Sequence, residues 1–326
     1  MLNISAEQIE KLNDFPTLIK ELEKGFQSSI ETPMRHHHDF ANPKASQDST
    51  LLLMPSWEAG ENVGVKIVTV SPDNGVHDLP SIHGIYILFD AVTGQPKAML
   101  DGTRLTAKRT AAASALASSY LSRKDASSLL MIGTGALAAN LIQAHCSQRP
   151  ITTVWVWGRT LEKAQAIVDG LKEWSHGCAR STELFAVADL DEYIPKADII
   201  SCATLSPTAL IKGELLRAGQ HIDLVGSYKK DAREANNAVM TRSSIFVDTF
   251  QGGLKESGDI VIPLKEGVIS EASILGDLTS LTRKDHLGRT SDEEITVFKS
   301  VGHASEDLMA ANYFYSKVMG GSTKEM

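Results

Sequence analysis

Three cysteines in 326 residues, Cys146, Cys178 and Cys202, are too few and too far apart for a disulfide framework or a metal-ligand pattern. That scarcity fits a reducing cytosol, so a cytoplasmic protein with no metal is the expectation. No apolar run approaches the roughly 18 residues needed to cross a bilayer, and no basic stretch followed by an apolar one opens the chain. Basic residues are outnumbered 32 to 40, for a formal charge of -8 and a pI near 5.7. An acidic balance of this kind excludes the electrostatic footprint of a nucleic-acid or anionic-membrane partner. Internal repeats and low-complexity segments are also missing. What is left, 42% hydrophobic and 22% charged, is the composition of a folded protein, and its length predicts two domains.

One short stretch organises the rest. Gly133-Thr134-Gly135-Ala136-Leu137-Ala138 follows the apolar run Ser128 to Ile132 and opens a helical pattern from Ala139. It reads as G-x-G-x-x-A, the loop that cradles a dinucleotide pyrophosphate. The first glycine permits the turn, the second leaves room for phosphate, and the small sixth residue lets helix and strand pack closely. The helix start adds free N–H groups and a partial positive charge. The next strand, Thr153 to Trp157, ends in Gly158-Arg159-Thr160, where an NAD-specific fold usually carries an acid. A guanidinium and a hydroxyl there suit the 2'-phosphate of NADP, although a solvated arginine at a helix start is the competing reading. NADPH is therefore the preferred cofactor, with NADH also admitted because Gly158 fits either nucleotide.

From Ser127 to Asp248 strands and helices alternate. Strands are predicted at 128–132, 151–157, 182–187, 198–203, 221–226 and 244–248, and helices around 136–147, 160–174, 190–195, 213–218 and 232–240. Such alternation predicts an α/β Rossmann domain, a doubly wound parallel sheet, over 119–304. Ligands of such sheets sit at the carboxyl ends of the strands, which places Thr204, Gly226 and Ser227 beside the cofactor. Residues 1–118 together with 305–326 are predicted to form a discontinuous α+β domain. In it Leu51 to Leu100 reads as an antiparallel sheet, and Ser5 caps a helical N-terminal stretch.

Two cations stand out in that first domain. Lys66 interrupts the apolar strand Val63 to Val70, and Arg109 sits among the small residues of a helix starting near Leu105. A lysine in such a strand either snorkels to solvent or meets an anion; Arg109 either joins it or makes a structural salt bridge. The anion is the favoured reading. His36-His37-His38 does not predict a metal site, because adjacent residues of an extended chain point to opposite faces.

Met54-Pro55, Val65-Lys66, Leu105 to Leu116, Gly133 to Ala138, Lys255 to Asp259, and Thr296 to Gly302 followed by Glu306-Asp307 together resemble the ornithine cyclodeaminase and mu-crystallin family over nearly the whole chain. The resemblance implies a homodimer whose antiparallel-sheet domain binds substrate and builds the interface. It implies substrate contacts at Arg35, Met54, Lys66, Arg109, Val301 and Gly302, with Lys66 and Arg109 catalytic. It also places Ser81 and Thr110 near the nicotinamide half of the cofactor. Members that cyclise ornithine look as though they need an Asp two residues after the glycine at 226; this chain has Tyr228. The expected activity is therefore NAD(P)H-dependent reduction of a cyclic ketimine, 1-pyrroline-2-carboxylate to L-proline, with 1-piperideine-2-carboxylate as a further substrate. Ornithine cyclodeaminase, an alanine-dehydrogenase-like enzyme and a small-molecule binding protein are the alternatives.

Overall fold

The computed structural model describes residues 1–177 and 181–322. Cys178 lies outside the described residues. The chain divides into two compact units: unit 1 is Met1–Thr110 with His303–Met326, and unit 2 is Ala111–Gly302.

Unit 1 runs β1 (Leu2–Ile4), α1 (Ala6–Leu12), α2 (Phe15–Gln27), β2 (Ile30–Glu31), β3 (His36–Phe40), β4 (Ser49–Glu58), β5 (Asn62–Val70), β6 (Ile82–Asp90) and β7 (Pro96–Asp101), then enters α3 (Gly102–Leu121), inside which unit 2 begins. Ser5 and Gln8 form a reciprocal capping box that starts α1, and Asp14 caps α2. Leu18, Ile19, Leu22 and Phe26 recur at helical spacing on α2 and are all buried. Each contributes about 1.5–3 kcal/mol relative to exposure.

The sheet of unit 1 is ordered β1-β7-β6-β5-β4-β2, with β3 also on β4; β1 lies parallel to β7 and the other pairs are antiparallel. Register lines up Met54, Lys66, Tyr86 and Leu100 across four strands. These four are buried, because their face carries α12 (Ala304–Ser322), whose first carbonyl accepts the Ser56 hydroxyl at 2.8 Å. With a side-chain period of two, the neighbouring rows point the other way. Leu53, Ile67 and Ile85 form one such row, and Pro55, Val65 and Ile87 another; all six are half-buried or exposed.

Unit 2 runs β8 (Ser128–Ile132), α4 (Ala138–Gln148), β9 (Thr153–Trp157), α5 (Leu161–Gly170), α6 (Lys172–Gly177), β10 (Glu183–Val187), α7 (Leu190–Tyr193), β11 (Ile199–Cys202), β12 (His221–Leu224), α8 (Asn237–Thr241), β13 (Ser244–Val247), α9 (Phe250–Glu256), α10 (Gly258–Lys265), β14 (Ile274–Asp277), α11 (Leu278–Arg283) and β15 (Thr296–Lys299). Its sheet, ordered β10-β9-β8-β11-β12-β15-β13-β14, is parallel throughout. β11, β12 and β15 are buried along their whole length, as expected of strands covered on both faces. Among the described residues no helix is long and apolar enough to cross a membrane.

Three predicted helices of unit 2 are corrected. Residues 213–218 make only a short turn of tight helix, Gly213–Leu215, and 232–240 is helical only from Asn237. The backbone of Glu234 explains the second case: its carbonyl accepts from Leu210 and Ile211, and its N–H donates to Asp259. Partners far along the chain replace the i−4 ladder. The predicted 160–174 helix is also interrupted, at Leu171.

Candidate active site

In unit 1 the strand pattern places Lys66 on the α12 face of β5. Its Nζ lies 2.9 and 2.8 Å from the two carboxylate oxygens of Asp307 and 3.3 Å from the Thr106 hydroxyl. Arg109, from α3, donates through Nε to Asp307 at 2.9 Å and through Nη1 to Glu306 at 2.7 Å. All four charged groups are at least nine-tenths buried. Glu306 and Asp307 belong to the first turn of α12, where the helix dipole favours negative charge.

The cluster reshapes its own acidities. Burial, followed by the Arg109 charge, lowers the Lys66 ammonium to about 8, with Asp307 opposing. Burial works against Arg109 too, but Asp307 and Glu306 outweigh it and raise its pKa. For Asp307, burial pushes up while Arg109 and Lys66 pull down, and the pull wins. Lys66 therefore carries a proton it can release near neutrality, whereas Arg109 stays charged.

Of the residues expected to bind substrate, Met54 stands directly opposite Lys66 across β4 and β5. Arg35 immediately precedes β3, whose His36 pairs with Leu53, so it enters the sheet beside Met54; its charge is felt at Lys66. Thr110 follows Arg109 and is buried, while Ser81 is exposed just before β6, its carbonyl accepting from Ser71. The salt-bridge reading of Arg109 is met as well, since both of its named contacts are to carboxylates. Glu306 and Asp307 were not among the expected site residues. Two adjacent acids opening a buried helix were the available signal.

In unit 2 register aligns Trp157, Ile132, Cys202, Leu224 and Lys299, the last residues of β9, β8, β11, β12 and β15, in one row. The loops that follow start from a common edge. Gly133 holds φ +119°, and a Cβ there would come within 2.5 Å of the Ala203 carbonyl, so only glycine fits. A Cβ at Gly135 would meet nothing within 4 Å, which is the open space a pyrophosphate needs in front of α4. Ala136 and Leu137 complete the loop, and Ala138 is buried against the sheet. Beyond β9, Gly158 lies against Thr134, Arg159 is exposed, and Thr160 starts α5 without using its hydroxyl as a cap. The residues present thus fit a dinucleotide. Val301 and Gly302 follow β15, their N–H groups each donating at 2.7 Å to Asp248, a buried carboxylate that was not anticipated.

The family model "Ornithine cyclodeaminase/mu-crystallin family" matches residues 2–322. Among curated relatives, the protein SAR DEFICIENT 4 of Arabidopsis thaliana is 40% identical, over 94% of either chain. A delta(1)-pyrroline-2-carboxylate reductase of Colwellia psychrerythraea is 37% identical, over 97% of this chain and 98% of its own. Among solved structures, the Thermococcus litoralis delta(1)-pyrroline-2-carboxylate reductase, in complex with NADH and L-proline, superposes with a TM-score of 0.91. It shares 34% identity over 99% of this chain and 98% of its own. With the glycine loop, the Lys66–Arg109 cluster and a full-length match in agreement, the chain belongs to the ornithine cyclodeaminase/mu-crystallin family.

Proposed function

We propose that this chain is an oxidoreductase that reduces the cyclic ketimine 1-pyrroline-2-carboxylate to L-proline with a nicotinamide dinucleotide, and takes the six-membered 1-piperideine-2-carboxylate as well. The observation that carries the reading is the buried Lys66–Arg109 pair, fixed by carboxylates rather than left mobile, in a chain that also has an open dinucleotide loop. Similarity to reductases of this substrate supports it. Tyr228 supports it too, standing 40% exposed after β12 where a cyclodeaminase looks to need an acid.

When bound, the reduced cofactor supplies a hydride to C2 of the imine. The chain's own task is orientation. Asp307 and Glu306 occupy Nε and Nη1 of Arg109 and one side of the Lys66 ammonium, which aims the remaining N–H groups and fixes both cations before substrate arrives. The substrate carboxylate is held by those N–H groups, with Arg35 adding a third positive charge and Met54 lying alongside. Reduction of C=N to CH–N would require one proton on the nitrogen, which the substrate would bring as an iminium or Lys66 would supply. Lys66, with its pKa near 8, is a suitable donor at neutral pH.

Loss of absorbance at 340 nm with enzyme, NADPH or NADH and 1-pyrroline-2-carboxylate tests the reading, beside ornithine plus NAD with ammonia as readout. Rapid imine-dependent oxidation without ammonia is expected. Ammonia from ornithine without imine reduction would make the chain a cyclodeaminase, and silence in both assays would make it a binding protein.

NADPH is the preferred nucleotide in this reading, supported by Arg159 and the unused Thr160 hydroxyl. Arg159→Ala is expected to raise KM for NADPH about tenfold or more, since a hydrogen bond to a charged group contributes roughly 1.5–3 kcal/mol, and to leave KM for NADH unchanged. Equal effects on both would remove the preference.

The partner is a second copy of the chain. The rows Leu53–Ile67–Ile85 and Pro55–Val65–Ile87 leave a contiguous apolar face on the unit 1 sheet, which a monomer rarely tolerates. Ile87→Arg should convert a particle of about twice 35.3 kDa into one of 35.3 kDa in light scattering. A wild-type monomer would refute the dimer.

A further inference from the structure

Glu234 belongs to no helix or strand, yet it is completely buried in unit 2. Its Oε1 accepts the Thr204 backbone N–H at 2.7 Å and the Thr204 hydroxyl at 3.2 Å; Oε2 accepts the N–H groups of Gly226 at 2.8 Å and Ser227 at 3.2 Å. Three of these four partners are backbone N–H groups, which can only donate, so both carboxyl oxygens serve as acceptors. Burial pushes the Glu234 pKa up. Lys299 opposes that push: its Nζ lies 3.7 Å from Glu234 and 3.2 Å from Asp259, all three being fully or almost fully buried. Asp259 closes the arrangement by accepting the N–H groups of Glu234 and Ala235 at 2.8 and 3.1 Å.

The location gives this cluster its meaning. Thr204 follows β11, Gly226 and Ser227 follow β12, and Lys299 ends β15, so one carboxylate ties three adjacent strand ends. At Gly226 the approach is close enough that a Cβ would come within 2.1 Å of the Thr204 backbone. Strand order then says which part of a dinucleotide these loops meet. The pyrophosphate loop follows β8, and the Arg159 end that takes the adenosine ribose follows β9, on one side of β8. β11 and β12 lie on the other side, where the nicotinamide half must run.

Resting on the dinucleotide reading above, we propose that Glu234 is a positioning residue: its carboxyl group, set beside Lys299, holds the Thr204 and Gly226-Ser227 loops in the shape that receives the nicotinamide half before any nucleotide binds. The amides of these loops are satisfied from beneath, which leaves their outer surface preformed.

The test compares NADH with ADP, which keeps the adenosine and both phosphates but lacks the nicotinamide ribose and ring. In Glu234→Gln an NH2 group faces N–H donors, so the dissociation constant for NADH should rise at least tenfold while that for ADP stays within twofold, and kcat should fall. Equal weakening of both ligands, or of neither, would overturn the proposal. Hydrogen exchange of the wild-type protein without nucleotide decides the matter even if the variant does not fold. The amides of Thr204, Gly226 and Ser227 should be protected, and fast exchange that slows only when NADH is added would overturn preformation. Wild-type protein that binds neither NADH nor NADPH would instead overturn the dinucleotide reading, and this proposal with it.

Discussion

Lys66→Met is expected to lower kcat/KM for 1-pyrroline-2-carboxylate about 10²- to 10³-fold. Truncating one partner of a buried, hydrogen-bonded charge pair costs about 2–5 kcal/mol, and the proposed substrate carboxylate loses such a partner here. Methionine nearly matches the volume of the lysine stem, and Asp307 keeps Arg109 as its counter-ion, so the fold should survive. The pH profile carries the more specific information. Lys66 is protonated below its pKa of about 8 and neutral above it, so the wild-type rate should fall as pH rises through that value. In Lys66→Met this limb should vanish. A variant that kept both turnover and limb would exclude Lys66 from carboxylate binding and from proton transfer.

Asp307→Asn should produce a different pattern. The substitution leaves Lys66 and Arg109 as adjacent buried cations without their shared counter-charge. Removing one partner of a buried ion pair destabilises by about 3–5 kcal/mol. At roughly 2–4 °C per kcal/mol for domains of 150–250 residues, and somewhat more for smaller ones, thermal unfolding should move down by about 10 °C. Asp307 also raises the Lys66 pKa, so its loss should move the alkaline limb to lower pH. Glu306→Gln is the control, because Glu306 pairs with Arg109, whereas Asp307 holds the Lys66 ammonium with both of its oxygens, at 2.9 and 2.8 Å. It should shift the limb less. A limb that stayed in place in Asp307→Asn would mean that the titrating group is not Lys66.

These two predictions depend on residues the sequence exposed to different degrees. Lys66 was visible as a charge in the middle of an apolar strand, and Arg109 as a charge among small helical residues. Both anomalies are local and need no partner to be noticed. Their counter-ions lie about two hundred residues further along the chain. Glu306 and Asp307 read as ordinary acids of a helix start until α12 is seen on the buried face of the sheet. Glu234 was hidden more deeply. Its surroundings look helical in sequence, but bonds to Leu210, Ile211 and Asp259 override that propensity and turn its carboxylate toward the strand ends.

The sequence by itself determined the alternation of strands and crossover helices, the turn at Gly133, the room at Gly135 and the alternating faces of the antiparallel strands. Each follows from steric limits or side-chain periodicity within a few consecutive residues. Only the tertiary structure decided that Lys66 and Arg109 belong to a four-charge cluster rather than standing as a bare pair of cations, and that three buried side chains knit the ends of β11, β12 and β15. The reason is physical. Whether a carboxylate is solvated or buried beside a cation depends on which distant segments pack over it, and burial sets both its charge state and the strength of its contacts.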